Sequence, residues 1–350
     1  IPKIKKIETT QEYNLTVLIP VSFGELAYIS PDTNSKIVLN SFYTFSFSKA
    51  DLLKSGLVAA FGKFQTFSFN LTYHLKNPNS KKGDVEIALV PDTTYQKVYY
   101  KEIIPNPRSV RLDDDGNWLA SYKLDENQEI EVKASLITQI FAHPQENYPK
   151  ISPLKYPYLL SQTQYWQTTD PEIAKIAALL KTPRQIYDFV VSKLEYDYSR
   201  IRENLPRFGA KGALENPSKA ICMEFTDLFI AIMRAAGIPA REINGYAYTE
   251  NSKLQPLSLV TDTLHAWPEY WDSSKNEWRQ VDPTWEDTTG GVDYFNKFDL
   301  AHVTFVIHGK DSNFPYPAGS YKNINTQQRD VLVEFGGIPE TSSTHTKVSF

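Results

Sequence analysis

Ser218-Lys219-Ala220-Ile221-Cys222-Met223-Glu224-Phe225 begins a segment that runs on to Gly237-Ile238-Pro239. Within it Ile221, Phe225, Leu228, Phe229 and Ile232 recur at three- and four-residue steps, the period of a helix with one apolar face. Ser218 is the expected N-cap, and Gly237 followed by Ile238-Pro239 is the expected stop. Cys222 then falls near the first turn, where unpaired N–H groups and the positive end of the helix dipole favour a thiolate. Free cysteine is also among the most buried residue types, and Cys222 shares a face with Phe225 and Phe229. Taken alone, a structural cysteine is the stronger reading.

On either side the pattern predicts helices first and strands after. Asp170-Pro171-Glu172 has an N-cap acid, a Pro at the first turn and a carboxylate near the positive dipole end. Thr182-Pro183-Arg184-Gln185 has capping-box spacing. Beyond Pro239, strands are predicted over 241–247, 264–271 and 278–281, so this region is α+β. His265 lies on the second of these strands, in Leu264-His265-Ala266-Trp267-Pro268-Glu269, and Asp282 follows the third, in Val281-Asp282-Pro283-Thr284-Trp285. A turn at Ser273-Ser274-Lys275-Asn276 makes a hairpin of them. If Asp272 pairs with Glu277, His265 lies opposite Thr284, and Asp282 is its diagonal neighbour on the same face. A slip of one residue would separate them.

Cys222, His265 and Asp282 together supply a nucleophile, a base and a group that orients the base. The same three types also bind zinc. A structural zinc site normally has four protein ligands, and neither His302 nor His308 has paired ligand spacing with them. No metal and no cofactor are therefore expected. His302 and His308 sit on an apolar strand-like run and read as packing or edge residues. Trp267, Trp271, Trp278 and Trp285 are either core or the wall of a substrate groove.

Four segments resemble the core motifs of the transglutaminase-like superfamily, in its bacterial cysteine-peptidase type. They are Ala220-Ile221-Cys222-Met223-Glu224-Phe225; Met233-Arg234-Ala235-Ala236-Gly237-Ile238-Pro239-Ala240-Arg241 with Gly245-Tyr246; His265-Ala266-Trp267; and Val281-Asp282-Pro283-Thr284-Trp285. The resemblance spans roughly 170 to 290. It implies a papain-like fold with Cys222, His265 and Asp282 in the catalytic positions. Ala220 stands where the family usually has Gly, and Pro268 where it usually has Val. A Pro there predicts an edge strand or a bulge. The implied chemistry is acyl transfer: the Cys222 thiolate attacks an amide carbonyl of a peptide or protein and forms a thioester. His265 protonates the leaving amine, Asp282 holds His265, and the Cys222 N–H is the expected oxyanion donor. Hydrolysis is expected over amine crosslinking, because water needs no second substrate site. The reading from another class is a non-catalytic peptide- or protein-binding module of a multi-domain surface protein.

The rest of the chain reads as β. Short β-prone runs over 14–19, 37–48, 63–75, 85–90, 96–103, 118–124 and 129–140 alternate with turns such as Asp113-Asp114-Asp115-Gly116-Asn117. They predict a β-sandwich, whose Pro105-Asn106-Pro107 and Asp115-Gly116-Asn117 resemble the N-terminal region of some bacterial family members. The expected domains are a sandwich over 1–145, a Pro-rich linker over 146–165, a catalytic domain over 166–325, and a tail or the start of a further β segment over 326–350. With 21 Tyr and 19 Phe and a net charge of only −4, the composition is globular and offers no basic surface for nucleic acid. A single cysteine excludes an internal disulfide. No apolar run is long enough to span a bilayer. Opening on Ile1 rather than Met, the sequence leaves room for a removed leader or an anchor outside it. An extracytoplasmic or cell-surface location is the expectation that follows from the sandwich and the resemblance.

Overall fold

The computed structural model describes residues 14–31, 35–55, 57–145, 148, 153, 156–201, 205–257, 264–320 and 329–336. Contacts divide the chain into two compact units between Lys63 and Phe64. The first unit contains β1 (Asn14–Pro20), β2 (Leu26–Ser30), β3 (Ser35–Leu39), β4 (Phe42–Ser48), the short helix α1 (Lys49–Ser55) and β5 (Val58–Phe61). Its sheets run in the orders β1-β4-β3 and β2-β5, around a small core that includes Phe45 and Phe47. The run predicted over 37–48 is two strands. Asn40 and Ser41 both take positive φ, 49° and 66°, and make a two-residue hairpin with Leu39 opposite Phe42. Such a turn matches the twist of the strands it joins.

The second unit begins with β6 (Phe64–Lys76), β7 (Gly83–Leu89), β8 (Gln96–Ile104), β9 (Ser109–Leu112), β10 (Trp118–Leu124) and β11 (Glu129–Phe141). Along β6 the inward residues Phe67, Phe69, Leu71, Tyr73 and Leu75 alternate with less buried neighbours, as a strand with one buried face requires. The sheet β7-β10-β9 faces a four-stranded one in which β11 lies between β6 and β8. The Tyr100 and Trp118 rings meet across the two. The late run Val331–Phe335, β16, returns to pair with β6 and completes that sheet.

The helices follow: α2 (Pro171–Leu179), α3 (Pro183–Lys193), α4 (Gly209–Glu215) and α5 (Cys222–Ala235). Asp170 caps α2 as the sequence predicts, accepting from the N–H groups of Glu172 and Ile173. Thr182 and Gln185 form the predicted capping box on α3, a device worth about 1 kcal/mol. α4 is not among the predicted helices, and its Gly209 and Gly212 are poor helix formers. Ser218 is not the cap of α5. It belongs to a single 3-10 turn over Pro217–Lys219, and the helix starts four residues later with Ile221 in the cap position. The stop is as expected: Gly237 takes φ 79°, its N–H bonds to Arg234 O, and the Ile238 N–H bonds to Met233 O.

After α5 come β12 (Ala240–Ala247), β13 (Leu264–Asp272), β14 (Glu277–Gln280), α6 (Pro283–Thr288) and β15 (His302–His308). The sheet order is β14-β13-β12-β15, antiparallel throughout, with α5 packed on β12 and β13. β13 is therefore an interior strand with unbroken register against β12 through Pro268, neither the edge nor the bulge expected there. The Pro268 carbonyl accepts from the Val281 N–H, so that residue's nitrogen faces the same side, where the β14 ladder has ended at Gln280. A missing donor costs nothing there.

Candidate active site

The hairpin has the predicted register, Asp272 opposite Glu277. Its consequence differs from the prediction, because the ladder ends at Gln280 and Asp282 sits on no strand. Asp282 is the N-cap of α6, its Oδ1 accepting from the Trp285 N–H at 3.0 Å. From that position its Oδ2 accepts from His265 Nε2 at 2.9 Å. With Nε2 committed, Nδ1 is the ring nitrogen left for the thiol. It is buried, has no other partner among the described residues, and the ring interacts with Cys222. The fold thus brings Cys222, His265 and Asp282 into one contiguous, fully buried cluster.

Electrostatics follow from this contact. Burial alone would lower the His265 pKa. The charge and hydrogen bond of Asp282, with a further contribution from Cys222, reverse this and raise it to about 9. Burial works the other way on Asp282, but the charge of His265 and hydrogen bonds from His265 and His302 hold its carboxyl well below the usual range. A thiol beside a readily protonated imidazole is the pairing that nucleophilic catalysis needs.

Further residues around the pair were not assigned a part in the site from the sequence. His302 lies under the pair: its Nε2 is 3.2 Å from Asp282 Oδ2 and its Nδ1 2.7 Å from Asp299 Oδ1. Trp285 stacks on His265 at 5.2 Å and Trp267 at 5.7 Å. Both indoles are fully buried, so they clamp the imidazole rather than line an open groove. Trp271 and Trp278 pack against each other near Leu159, away from it. Glu224, fully buried, ties down the start of α5. Its Oε2 accepts from the Ile221 N–H at 3.0 Å and from Arg200, and its Oε1 from the Phe208 N–H at 2.9 Å. A glutamate three residues into a helix is the signal that could have found it. His302 offered none, since nothing in a strand-like run indicates what lies beneath it.

Two residues of the motif segments gain local explanations. Ala220 has ordinary extended backbone, φ −80° and ψ 148°, and bridges to the chain at Tyr196, so no glycine is required there. Gly245 lies opposite His265, and a Cβ on it would come within 2.0 Å of Val303 O. Only glycine lets β12 and β15 approach behind the imidazole.

His265, Asp282 and His302 place three ligand atoms within 4.8 Å of one another, the geometry of a metal cluster. Three protein ligands are one fewer than a structural zinc site normally has, and hydrogen bonds from both rings to Asp282 account for the same contacts. The residues fit a hydrogen-bonded chain better than a metal.

Fold and site together define a class. Residues 167–283 match the family model of the transglutaminase-like superfamily, and this part of the chain is a transglutaminase-like domain with a papain-like α+β arrangement, preceded by extensive antiparallel sheet. Members of the superfamily are typically cysteine-dependent enzymes. Among individual proteins, the chain is 35% identical over 85 residues to a protein-glutamine gamma-glutamyltransferase of Pseudomonas aeruginosa, covering 23% of this chain and 13% of that protein. It is 32% identical over 69 residues to an uncharacterized protein of Mycobacterium bovis, covering 19% and 22%. The matches thus span less than a quarter of either relative. A crystal structure of a candidate cysteine protease from Cytophaga hutchinsonii superimposes with a TM-score of 0.51 at 17% identity, covering 80% of this chain and 93% of that one. That likeness speaks for the fold alone.

Proposed function

We propose that Cys222, His265 and Asp282 are the catalytic triad of a cysteine enzyme that transfers acyl groups from amide bonds of peptides or proteins. The observation that supports this best is the division of the His265 ring, with Nε2 bonded to Asp282 and Nδ1 left to Cys222. In the proposed reaction the thiolate adds to the amide carbonyl, the imidazolium gives its proton to the leaving nitrogen, and a thioester remains. The acceptor then attacks the thioester with His265 as base, which regenerates the thiol. The backbone N–H of Cys222, at the first position of α5, is the proposed oxyanion donor. Water is the preferred acceptor.

Incubation with a reporter ester or peptide, with and without a primary amine, distinguishes the acceptors by mass spectrometry. The acyl-enzyme at Cys222 should partition to free acid. Partition to the amine adduct with little hydrolysis would instead make this a crosslinking enzyme.

One observation favours the non-catalytic reading. Cys222, His265 and Asp282 are all fully buried, so a peptide reaches the thiol only if the covering segments open. A binding module that retains the triad as core would have this property. It would also never form the acyl-enzyme, so the same experiment separates the two. No helix among the described residues is long and apolar enough to cross a membrane. The extracytoplasmic location is a further part of the proposal, checked by fractionating cells that produce the protein.

A further inference from the structure

Beneath the proposed triad lies a second histidine with its own carboxylate. Asp299, His302, Asp282 and His265 form a continuous chain with contacts of 2.7, 3.2 and 2.9 Å. His302 is buried among aromatic rings: Trp285 and Phe298 at 4.4 Å, Trp267 at 4.8 Å and Tyr294 at 6.4 Å. Its relative exposure is 3%, and that of its side chain is zero.

The proton count of this ring follows from its partners. Each nitrogen faces a carboxylate oxygen, and an ionised carboxylate can only accept. Both nitrogens therefore carry protons, and His302 is an imidazolium held between two anions. Asp282 Oδ2 is then shared: it accepts from His265 on one side and from the His302 imidazolium on the other. Its charge, which would otherwise act on His265 alone, is partly neutralised by His302.

We propose that His302, held cationic by Asp299, is a positioning residue that sets the proton affinity of His265 through the carboxylate they share. The proposal rests on the triad reading only in giving His265 a task. An imidazolium raised too far above the working pH holds its proton too tightly to release it to a leaving amine, and one raised too little does not form beside a thiol. Sharing Asp282 keeps His265 between these limits, while the Trp285 N–H and the two histidines fix the carboxylate in place. The direction of the His302 shift agrees. Burial lowers its pKa, but Asp299 and Asp282 override this and raise it to about 9. The charged and titratable groups facing His302 are Asp299 from the preceding loop, Asp282 from the start of α6, His265 from β13 and Tyr294.

The test is an NMR titration of protein labelled with 15N-histidine, comparing the native chain with His302→Gln and Asp299→Asn. Gln keeps a donor for Asp282 without the charge. In the native protein both His302 nitrogens should read as protonated across neutral pH. In His302→Gln the His265 pKa should rise by about one unit, the scale of one neighbouring charge. Asp299→Asn should move it the same way by less, and serves alone if His302→Gln does not fold. A merely structural His302 would leave the His265 pKa where it is. An unprotonated His302 nitrogen at neutral pH, or a His265 pKa that stays or falls in the folded variants, overturns the proposal. The readout needs no turnover, so failure of the triad as an enzyme is scored separately.

Discussion

At the residue scale, His265 and Asp282 make stability depend on pH in a definite direction. His265 is raised above the ordinary imidazole value of about 6.5, so its contribution is complete below that pH and lost as pH rises through about 9. Asp282 is held low, so its contribution is present above about 3.9 and lost as the solution becomes more acidic than that. The pair therefore stabilises most between about pH 4 and 6.5. In thermal unfolding, the Tm difference between the native protein and His265→Gln should be largest in that window and shrink towards pH 10. A difference that grows above pH 9 would contradict the assignment. Gly245→Ala tests the close approach behind the ring. Its Cβ would meet the Val303 carbonyl, a backbone atom, and should cost about 2 kcal/mol or more in a urea titration.

Elements place these residues, and much of that placement was legible. The apolar period of α5, the capping box of α3, the Gly237 stop and the hairpin register were all readable, because each is a local rule between residues a few positions apart. What could not be read was what happens when a local rule ends. Asp282 was expected as a strand neighbour of His265, yet Pro283 starts a helix and turns Asp282 into its cap. Ser218 looked like the better cap for α5, yet Glu224 reaches back to the Ile221 N–H and sets the start at Cys222. The thiol's position at the helix end thus rests on Glu224 and its ion pair with Arg200, both buried. Glu224→Gln would leave Arg200 without its carboxylate, at a cost of about 3 kcal/mol. Urea unfolding should show that loss, and a change within 0.5 kcal/mol, roughly the scatter of a surface substitution, would remove Glu224 from this role.

At the scale of the 64–350 unit, the sandwich does more than precede the sheet β14-β13-β12-β15. β15 is the edge strand of that sheet, and an edge leaves a row of backbone groups unpaired. Side chains from the sandwich take them up. Gln96 bonds both the N–H and the carbonyl of Thr304, Asn117 does the same for Ile307, and Asp115 accepts from the N–H groups of Gly309 and Lys310. These side chains all read from sequence as turn or strand residues, since contacts across 190 to 208 positions leave no local trace. β15 also begins at His302, so this edge holds the histidine that meets Asp282. Asn117→Ala should orphan the Ile307 groups and cost about 1–3 kcal/mol, read by denaturant titration.

The central claim is that Cys222 and His265 form an activated pair, and iodoacetamide labelling against pH tests it most directly. Cys222 is the only cysteine, so mass spectrometry reads that site alone. The account predicts labelling of the folded protein well below the free-thiol pKa of about 8.5, slowed markedly by His265→Ala. Labelling that appears only after unfolding, and is indifferent to His265, would contradict it and leave Cys222 a buried core residue.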